Sequence, residues 1–539
     1  MKWLLIIALV VNLGVFGQVT LTESHLPIII LNTGGAPIED DPRIQCEMGI
    51  IDNGSGVMNN VNDPFNDYHG YITIEIRGST SQQYPKKNYG FSTVSPDGVD
   101  INVSLLDLPP ENDWILYGPY PDKTLIRNVM TFDLFRRMGH YASRTRYCEL
   151  IINGEYRGLY VLMEKLKRDD ARIQVTPLDS SSTAGDPLTG GYVFKVDKLT
   201  GTTVETFVSA YNSEVLFQYH DPGPDELHPL QKSYLQDYVS NFEDMLWGPN
   251  FNDPNLGYHQ YIDKISFYDF FLLQEVGRTV DGYRSSCFLY KDKNSVWDGL
   301  LHAGPVWDFN LSYGNADYCN ADQTTGWQYQ FDNVCPWFTS SVPFWWGKLL
   351  TDTSYCNGLQ CRWQELRQGP LRIDSLHDYI DSVALYLEDA RIRNFQKWPI
   401  IGVYVNWNGY VGQTYQEDVD YLKWYIQTRI EWMDNNLPGT CWPGLAGQEQ
   451  MQPDPVLSKA WPNPFDEEVH IGFTLPDGGE TEIWIYELSG KIIYQKHLGK
   501  LAEGNYIKTL QLTGLSAGSY IYTVITDGVA VSQNKLTKK

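Results

Sequence analysis

The residue pattern of the chain breaks once, near Pro438, and this break constrains the fold more than any other feature. From Gly444 to Pro455 the residues are polar and unpatterned, with many Gln, Gly and Pro, which is typical of a linker. A chain of 539 residues also suggests about two to four domains. We therefore predict a large domain over residues 18–440, a linker over 441–455 and a small domain over 456–539.

The N-terminus has the three parts of a secretory signal peptide. A positive charge at Lys2 precedes an apolar run from Leu4 to Val11, and the small residue Gly17 follows. The run is shorter than the ~20 apolar residues that a membrane-spanning helix needs. We predict that residues 1–17 are a signal peptide and that the mature protein is exported and soluble, with no transmembrane segment. The alternative is a buried N-terminal strand.

The large domain has the pattern of a mixed α+β fold. Residues 26–173 are mainly strand, with a hairpin turn at Asn153-Gly154 and one helix over Thr124–Met138. Apolar residues then recur at helical spacing, in stripes over Leu235–Leu246, Leu376–Leu387 and Val419–Met433. The last helix opens with the capping pair Thr414 and Glu417. Such stripes are typical of core packing rather than of cofactor contacts.

The small domain consists of short alternating strands separated by turns. The predicted strands are Val469–Phe473, Glu482–Tyr486, Lys491–Gln495, Tyr506–Leu512 and Ser519–Thr526. This spacing predicts an antiparallel β-sandwich of under about 100 residues. The fold class is therefore α+β, a mixed domain followed by a small antiparallel β-sandwich.

Composition excludes one class of partner and leaves another question open. With 41 Lys and Arg against 66 Asp and Glu, the formal net charge is −25, which argues against a broad nucleic-acid surface. Aromatic residues make up 14% of the chain, including 17 Trp and 36 Tyr. This excess indicates either a large aromatic core or a sugar-binding surface.

Eight cysteines follow the signal peptide, and an even number in an exported chain permits disulfides. The predicted pairs are Cys356 with Cys361, which enclose a tight loop, and Cys319 with Cys335. Buried reduced cysteines are the alternative. A zinc site is disfavoured because the chain has no C-x-x-C doublet.

Two acidic motifs are candidates for chemistry. The first is Asp281-Gly282-Tyr283-Arg284, and the second is Trp307-Asp308-Phe309-Asn310 at the end of a predicted strand. A carboxylate between two large aromatic residues is costly unless it binds a cation or an arginine. For Asp308 a metal ion and a salt bridge to a core arginine such as Arg284 are equally compatible with the residues alone.

The basic candidates lie in the first half of the chain. Arg77 opens the stretch Arg77-Gly78-Ser79-Thr80-Ser81 after a strand, and Lys86 and Lys87 open another; both patterns can present donors to phosphate. The alternatives are an ordinary hairpin turn and a charged edge strand. Arg127 begins a helix and can reach an anion there, or it can pair with Asp122 or Asp133.

Two further observations complete the list of candidates. Glu164 ends a predicted strand, where a solvated edge is the simplest interpretation. The chain contains neither a G-x-S-x-G nucleophile elbow nor an H-E-x-x-H zinc motif, and its ten histidines are scattered.

Taken together, these segments resemble the spore-coat protein H (CotH) kinase family. The matching segments are Ile74–Ser81, Pro85–Tyr89, Asp113–Leu116, Asp122–Asn128, Ile152–Tyr160, Asp281–Arg284 and Trp307–Asn310. The resemblance covers residues 26–435 and implies an atypical protein-kinase-like fold. It also implies binding of ATP with Mg²⁺ or Mn²⁺ and transfer of the γ-phosphate to Ser or Thr of a secreted protein.

The resemblance implies a role for each candidate residue. Asp308 looks like the metal-binding aspartate of kinases, and Asp281 looks like the second acid, which orients the hydroxyl or holds metal. Lys87, Lys86 and Arg77 would contact phosphate, with Glu164 as a lysine partner. With Arg127 at its helix start, these residues form the expected ATP site.

Asn310 is a departure from the family pattern. Many members have Trp-Asp-Phe-Asp, whereas this chain ends the motif with Asn310. Asparagine keeps an oxygen ligand for the metal but removes a charge, which lowers the expected metal affinity. A kinase catalytic loop also places an asparagine on magnesium, so the change is compatible with activity.

The tail resembles the type A C-terminal sorting domain of type IX secretion, found in Bacteroidetes-like bacteria. The matching segments are Pro462–Phe465, Leu488–Lys491, Leu515–Tyr520 and the basic end Lys535–Lys539. The resemblance implies the type IX secretion machinery as a partner and a location outside the cell or on its outer surface. A generic sandwich that binds glycan is the alternative.

Three functions follow from these observations. The first is a secreted or surface-attached protein-kinase-like phosphotransferase that acts on an extracellular protein. The second is a non-catalytic CotH-like surface adhesin or binding protein, favoured by the aromatic composition and by Asn310. The third is glycan processing, for which Trp345, Trp346 and Trp363 would stack on sugars unless they belong to the core.

Overall fold

The structure is a computed structural model that describes residues 19–199, 205–441, 458–475, 478–487, 491–502, 504–527 and 529–539. The chain separates into two compact units, Met1–Cys441 and Trp442–Lys539. The predicted signal peptide, and the predicted linker beyond Cys441, lie outside the described residues.

The first unit mixes strands and helices, as the sequence predicts. Its strands are β1 (Glu23–Ser24), β2 (Ile28–Asn32), β3 (Ile44–Ile51), β4 (Asn59–Asn60), β5 (Tyr68–Arg77), β6 (Asn88–Val94), β7 (Asp113–Tyr117), β8 (Thr145–Ile152), β9 (Glu155–Glu164), β10 (Tyr192–Val196), β11 (Thr206–Val208), β12 (Leu216–Asp221), β13 (Cys287–Lys291) and β14 (Leu301–Ala303). Its helices are α1 (Arg127–Arg137), α2 (Pro229–Trp247), α3 (Lys264–Gly277), α4 (Phe331–Val334), α5 (Trp345–Leu349), α6 (Thr353–Gln368), α7 (Ile373–Tyr386), α8 (Glu388–Lys397) and α9 (Tyr415–Asn436).

Seven strands form a sheet that closes on itself in the order β2-β3-β5-β6-β7-β9-β8. The closing pair β2–β8 is parallel, and the other neighbours are antiparallel. Alternate residues such as Ile72, Ile74 and Leu162 point inward and are fully buried, as the two-residue period of a strand requires. The predicted hairpin is confirmed, because Asn153 (φ 51°) and Gly154 (φ 75°) join β8 to β9.

A second sheet has the order β11-β12-β10-β13-β14, and helices pack beside it. The predicted stripes lie on α2, α7 and α9, where Leu235, Ile380 and Leu422 are buried. The predicted cap of α9 is confirmed by a 3.2 Å hydrogen bond from the Glu417 amide to Thr414 Oγ1. The predicted first helix begins at Arg127 rather than Thr124, because Leu125 has a left-handed φ of 65°.

The tryptophans considered for sugar stacking belong to the core. Trp345, Trp346 and Trp363 are 1%, 3% and 1% exposed. Phe242 and Phe217 lie within 5.0 and 5.6 Å of the Trp345 ring. The aromatic excess therefore builds much of the interior of the first unit, and these three residues offer no sugar-binding surface.

The disulfide prediction is right for one pair and wrong for the other. Cys319 and Cys335 form a disulfide as predicted. Cys361 pairs with Cys441 instead of Cys356, which stays reduced and buried. Cys356 and Cys361 both lie on α6, where five residues rise about 7.5 Å along the axis and place the side chains on different faces.

The second unit contains only strands in its described residues. They are β15 (Ser458–Trp461), β16 (Glu468–Leu475), β17 (Gly479–Glu487), β18 (Ile492–Leu501), β19 (Gly504–Gln511), β20 (Gly518–Thr526) and β21 (Val529–Lys538). The two antiparallel sheets, β15-β16-β19 and β18-β17-β20-β21, share one apolar core, as the predicted sandwich requires. The sequence pattern missed β15 and β21. Across the described residues of both units, no helix is long and apolar enough to cross a membrane.

Candidate functional site

A deep cleft of about 1120 Å³ lies between the closed sheet and the second sheet of the first unit. The closed sheet and its loops contribute Arg77, Ser79, Asn88, Tyr117, Met163 and Lys165. The opposite wall contributes Lys195, Asp197, His220, Asp281, Asp308 and Asn310. Four of the residues that the sequence singled out, Arg77, Asp281, Asp308 and Asn310, therefore meet in one cavity.

Asp308 is held in the cleft by its neighbours in the chain. Trp307 stacks on Phe132 of α1 with 5.6 Å between ring centroids, and Phe309 is fully buried. The Phe309 amide donates a 2.6 Å hydrogen bond to Asn128 Oδ1 at the start of α1. Asp308 itself has a left-handed φ of 64°, a conformation that non-glycine residues adopt rarely and that clusters at functional sites.

The Asp308 carboxylate is unpaired. Among the described residues, no donor forms a hydrogen bond with it and no cation forms an ion pair with it. Burial raises the pKa of Asp308 to about 6, and the nearby carboxylates of Asp281 and Asp197 add to the increase against Lys198 and Arg77. A carboxylate in this state gains from a bound cation.

Arg77 is the cationic counterpart of Asp308. It ends β5, and its guanidinium lies 5.9 Å from the centre of the Trp307 ring. Within the described part of the chain its guanidinium has no hydrogen-bond or ion-pair partner. Burial lowers the pKa of Arg77, and Asp308 opposes this effect. The loop Gly78–Gln82 follows directly and lines the cleft with hydroxyl groups.

Asp281 lies on the loop after α3, where Arg284 forms an ion pair with it. Arg284 Nη2 donates to Asp281 Oδ1 at 3.0 Å, and Arg284 Nε donates to the Val280 carbonyl at 2.9 Å. The salt bridge that the sequence allowed between Arg284 and Asp308 is therefore made to Asp281. Asn310 lies on the same wall of the cleft, and its backbone carbonyl accepts a 2.8 Å hydrogen bond from Asn315.

Lys86 and Lys87, predicted to contact phosphate, do not line the cleft. Lys86 is 2% exposed, and its ammonium donates to the Leu159 carbonyl at 2.5 Å and to Asn394 Oδ1 at 2.8 Å. Burial lowers the pKa of Lys86 to about 7. Lys87 donates to the Gln82 carbonyl at 2.5 Å. Both lysines therefore make internal contacts of the closed sheet and its surroundings.

Glu164 and Arg127 also lie outside the cleft lining. Glu164 is fully buried and pairs with Arg144 at 2.8 Å and Arg172 at 3.3 Å rather than with a lysine. Arg127 pairs with Asp122 at 2.6 Å, which is the local ion pair that the sequence left open. Its Nε donates to the Ser312 carbonyl at 3.1 Å, so it supports the chain segment after Asn310.

The sequence did not single out three lysines and a histidine that line the cleft. Lys165 follows β9, and Lys195 and Lys198 lie in and after β10. His220 Nε2 donates a 2.7 Å hydrogen bond to the Leu166 carbonyl. Burial lowers the pKa of His220 to about 4, with Lys195, Lys165 and Arg77 adding to the decrease. The sequence signal that could have identified these lysines is their position in or directly after apolar strands.

Comparison with protein families identifies the chain. The family model described as "CotH kinase protein" matches residues 74–433. A second model, "Secretion system C-terminal sorting domain", matches residues 459–539. The chain therefore belongs to the CotH kinase family and ends in a sorting domain. The sorting domain makes it a secreted or cell-surface protein that uses the type IX secretion machinery, as the resemblance implied.

Individual proteins and solved structures give no further information on the fold or function of this chain. Curated proteins gave no significant match. An immunoglobulin-like protein from Pseudomonas aeruginosa is 4% identical, covers 14% of this chain and 76% of its own, and has a TM-score of 0.12. The alkylpurine DNA glycosylase of Pseudomonas fluorescens bound to DNA is 11% identical and has a TM-score of 0.13. The match covers 38% of this chain and 56% of the glycosylase chain. At these scores neither likeness bears on fold or function.

Proposed function

We propose that this protein is a secreted or surface-attached phosphotransferase that moves the γ-phosphate of ATP to Ser or Thr of an extracellular protein. The observation that supports this function best is the cleft where the unpaired carboxylate of Asp308 and the unpaired guanidinium of Arg77 meet. Phosphoryl transfer requires a held metal, neutralised phosphates and a positioned hydroxyl rather than a protein nucleophile. The kinase-like fold implied by the family resemblance is part of this proposal.

The donor set of the cleft fits magnesium. In the described residues, no group of three or more His, Cys, Asp or Glu is arranged to hold a metal ion. Magnesium keeps several waters and is usually held by one or two protein oxygens together with substrate phosphates. Asp308 and Asn310 supply a free carboxylate and an amide oxygen on the same loop. Bound with ATP, the metal would neutralise the phosphates during transfer.

The basic residues of the cleft would bind the phosphates. Arg77 is the one arginine of the closed sheet among the described lining residues. Lys195 on β10 also borders the cavity, as do Lys165 and Lys198, which follow β9 and β10. Lys195 is tied to Asp197 at 2.6 Å, whereas the Arg77 guanidinium has all its donors available. Guanidinium groups bind phosphate oxygens in pairs, so Arg77 is assigned the main phosphate contact.

Asp281 would orient the acceptor hydroxyl and accept its proton. Arg284 holds one carboxylate oxygen of Asp281, Oδ1, at 3.0 Å. Within the described residues the other oxygen accepts no hydrogen bond, so it is available to the substrate hydroxyl. Acceptor, metal and phosphate groups would then share one cleft, which is the positioning that phosphoryl transfer requires.

The test is transfer of label from ATP in the presence of Mg²⁺ or Mn²⁺ to a Ser-rich acceptor protein. We expect transfer by the full chain and a loss of at least about 100-fold in Asp308→Ala, the size expected when charge stabilisation of the transition state is removed. Glu75→Ala, in an exposed ion pair of the closed sheet, serves as the control. Label transfer that Asp308→Ala leaves unchanged would refute the role of Asp308.

The alternative is a non-catalytic binding protein on the same fold. Trp337 is 72% exposed and lines the cleft together with Trp407, which suits stacking on a ligand. Calorimetry separates the two functions. Absence of nucleotide binding with either metal, combined with retained folding, would favour the binding protein.

A further inference from the structure

The loop that carries Asp281 has little secondary structure of its own, yet it contains the acid proposed to orient the substrate. It follows α3 and precedes β13, and Tyr283 (φ 67°) and Ser286 (φ 53°) both have left-handed backbones. The amides of Gly282 and Ser285 are held by 2.9 Å hydrogen bonds to the carbonyls of Thr279 and Asp281. A loop of this kind needs external support to keep one conformation.

Arg284 supplies that support within the loop. It is 3% exposed, and its guanidinium bonds both the Val280 carbonyl and the Asp281 carboxylate. One side chain therefore fixes the backbone before Asp281 and the direction of its carboxylate. The guanidinium does not contact Asp308, so its role is to place Asp281.

A second segment packs against Arg284. The guanidinium carbon lies 4.2 Å from the centre of the Phe331 ring and 4.8 Å from that of Phe338. Ser340 Oγ donates a 2.9 Å hydrogen bond to the Arg284 carbonyl. We name residues 331–340 the clamp segment. Its two phenylalanine rings pack edge to face with 5.5 Å between their centroids and contact the guanidinium together, and Ser340 holds the backbone. This is the geometry of a buried cation held by aromatic rings.

The disulfide Cys319–Cys335 closes the clamp segment. Cys335 lies between Phe331 and Phe338, and its amide donates 2.8 Å to the Phe331 carbonyl. On the other side of the bond, Tyr318 stacks on Phe338 with 6.1 Å between centroids. The clamp segment contains one short helix of four residues, and the disulfide adds a covalent restraint on its position.

We infer that Arg284 is the positioning residue for Asp281 and that the Cys319–Cys335 disulfide holds it in place through Phe331 and Phe338. The catalytic role of Asp281 in this inference rests on the proposed function, whereas the restraint on its loop does not. Oxidation outside the cell therefore has a functional consequence, because the geometry of Asp281 depends on a disulfide whose nearer cysteine, Cys319, lies 38 residues further along the chain.

The test compares two double variants of the full chain by hydrogen–deuterium exchange. In Cys319→Ser/Cys335→Ser we expect the amides of residues 279–286 to exchange at least about tenfold faster than in the wild type, because the clamp segment no longer holds Arg284. In Cys361→Ser/Cys441→Ser we expect their exchange to be unchanged. The control disulfide Cys361–Cys441 spans 80 residues, whereas Cys319–Cys335 spans 16. If the exchange only reflected a global loss of stability, it would therefore increase more in the control variant.

Substitutions of Phe338 separate the aromatic contact from the disulfide. Phe338→Tyr keeps a ring over the guanidinium and should keep the exchange of the loop slow. Phe338→Leu keeps an apolar side chain but no ring, and should speed exchange in the same amides as the cysteine variant does. Arg284→Lys keeps the charge beside Asp281 without the planar group and should behave like Phe338→Leu.

Activity supplies an independent measurement. If the chain transfers phosphate, we expect the Cys319→Ser/Cys335→Ser variant to lose transfer rate by roughly ten- to a hundredfold, because Asp281 is misplaced. A wild type without transfer refutes the proposed function but leaves the exchange result standing. Equally accelerated exchange of residues 279–286 in the two cysteine variants, or no acceleration in either variant, would overturn the inference.

Discussion

The cleft and the interior beside it contain the same kinds of charged residues in opposite states. In the interior, Glu164 contacts Arg144 and Arg172 at 2.8 and 3.3 Å, and Arg127 contacts Asp122 at 2.6 Å. In the cleft, Asp308 and Arg77 have no such partners among the described residues. Buried charges that are satisfied by the protein stabilise its packing, whereas charges left unsatisfied in a cavity are available to a ligand.

This difference predicts the largest effect on stability for the interior. Glu164→Ala should reduce the free energy of unfolding by about 3–5 kcal/mol, because it removes the buried carboxylate that pairs with both Arg144 and Arg172. Urea titration followed by tryptophan fluorescence measures the change. Glu75→Ala, which removes the exposed partner of Arg43, should cost below about 1 kcal/mol. Equal losses in the two variants would contradict the account of the interior.

For nucleotide affinity, unlike for stability, we expect the larger effect in the cleft rather than in the interior. Arg77→Met should weaken binding of ATP with Mg²⁺ by roughly 10- to 100-fold, about 1.4–2.8 kcal/mol, because it removes charge-assisted donors from the cleft. Lys86→Met should leave the affinity unchanged, since its ammonium is used by Leu159 and Asn394. Calorimetry on the full chain measures both. An affinity that depends on Lys86 and not on Arg77 would return the phosphate site to the predicted lysine pair.

The pH dependence of stability tests whether Asp308 is unpaired. The pKa of Asp308 is raised to about 6, so the folded state holds a proton that the unfolded state has lost between about pH 4 and 6, and stability falls as pH rises through this range. Asp308→Asn should therefore stabilise the protein by about 1–2 kcal/mol at pH 8 and by nothing at pH 4. A loss of stability in Asp308→Asn at pH 8 would mean that a protein group pairs with this carboxylate.

The effect that is smallest per pH unit concerns Lys86. Its pKa is lowered to about 7 from 10.5, so between these values the unfolded state binds more protons and stability rises with pH. We expect the wild type to gain roughly 1 kcal/mol per pH unit between pH 8 and 10 relative to Lys86→Met. Parallel pH profiles of the two proteins, from urea titrations, would show that Lys86 is not buried as described.

The sequence predicted the acidic half of the cleft better than its basic half. Asp281, Asp308 and Asn310 lie in short loops whose motifs are recognisable, and the structure brings them into one cavity. Lys86 and Lys87 lie next to the start of a strand, where neighbouring side chains point in opposite directions. Their direction depends on how the sheet closes, which the sequence pattern does not contain.

Contacts between distant parts of the chain account for the other differences. Cys441 lies 80 residues from Cys361, so nothing local indicated the pair, whereas the closer Cys319 and Cys335 were predicted. Leu125 adopts a left-handed backbone beside the Asp122 carboxylate, which accepts hydrogen bonds from Thr124 and Arg127, and this delays the helix by three residues. Local signals such as the Asn153-Gly154 hairpin were predicted correctly.

The most direct test of the central claim is the position of a bound metal. Crystals of the full chain grown with ATP and Mn²⁺ allow the ion to be located from its anomalous scattering. We expect the ion about 2.1 Å from a carboxylate oxygen of Asp308, with the phosphates facing Arg77. An ordered nucleotide whose metal does not contact Asp308, or one bound outside the cleft, would contradict the account.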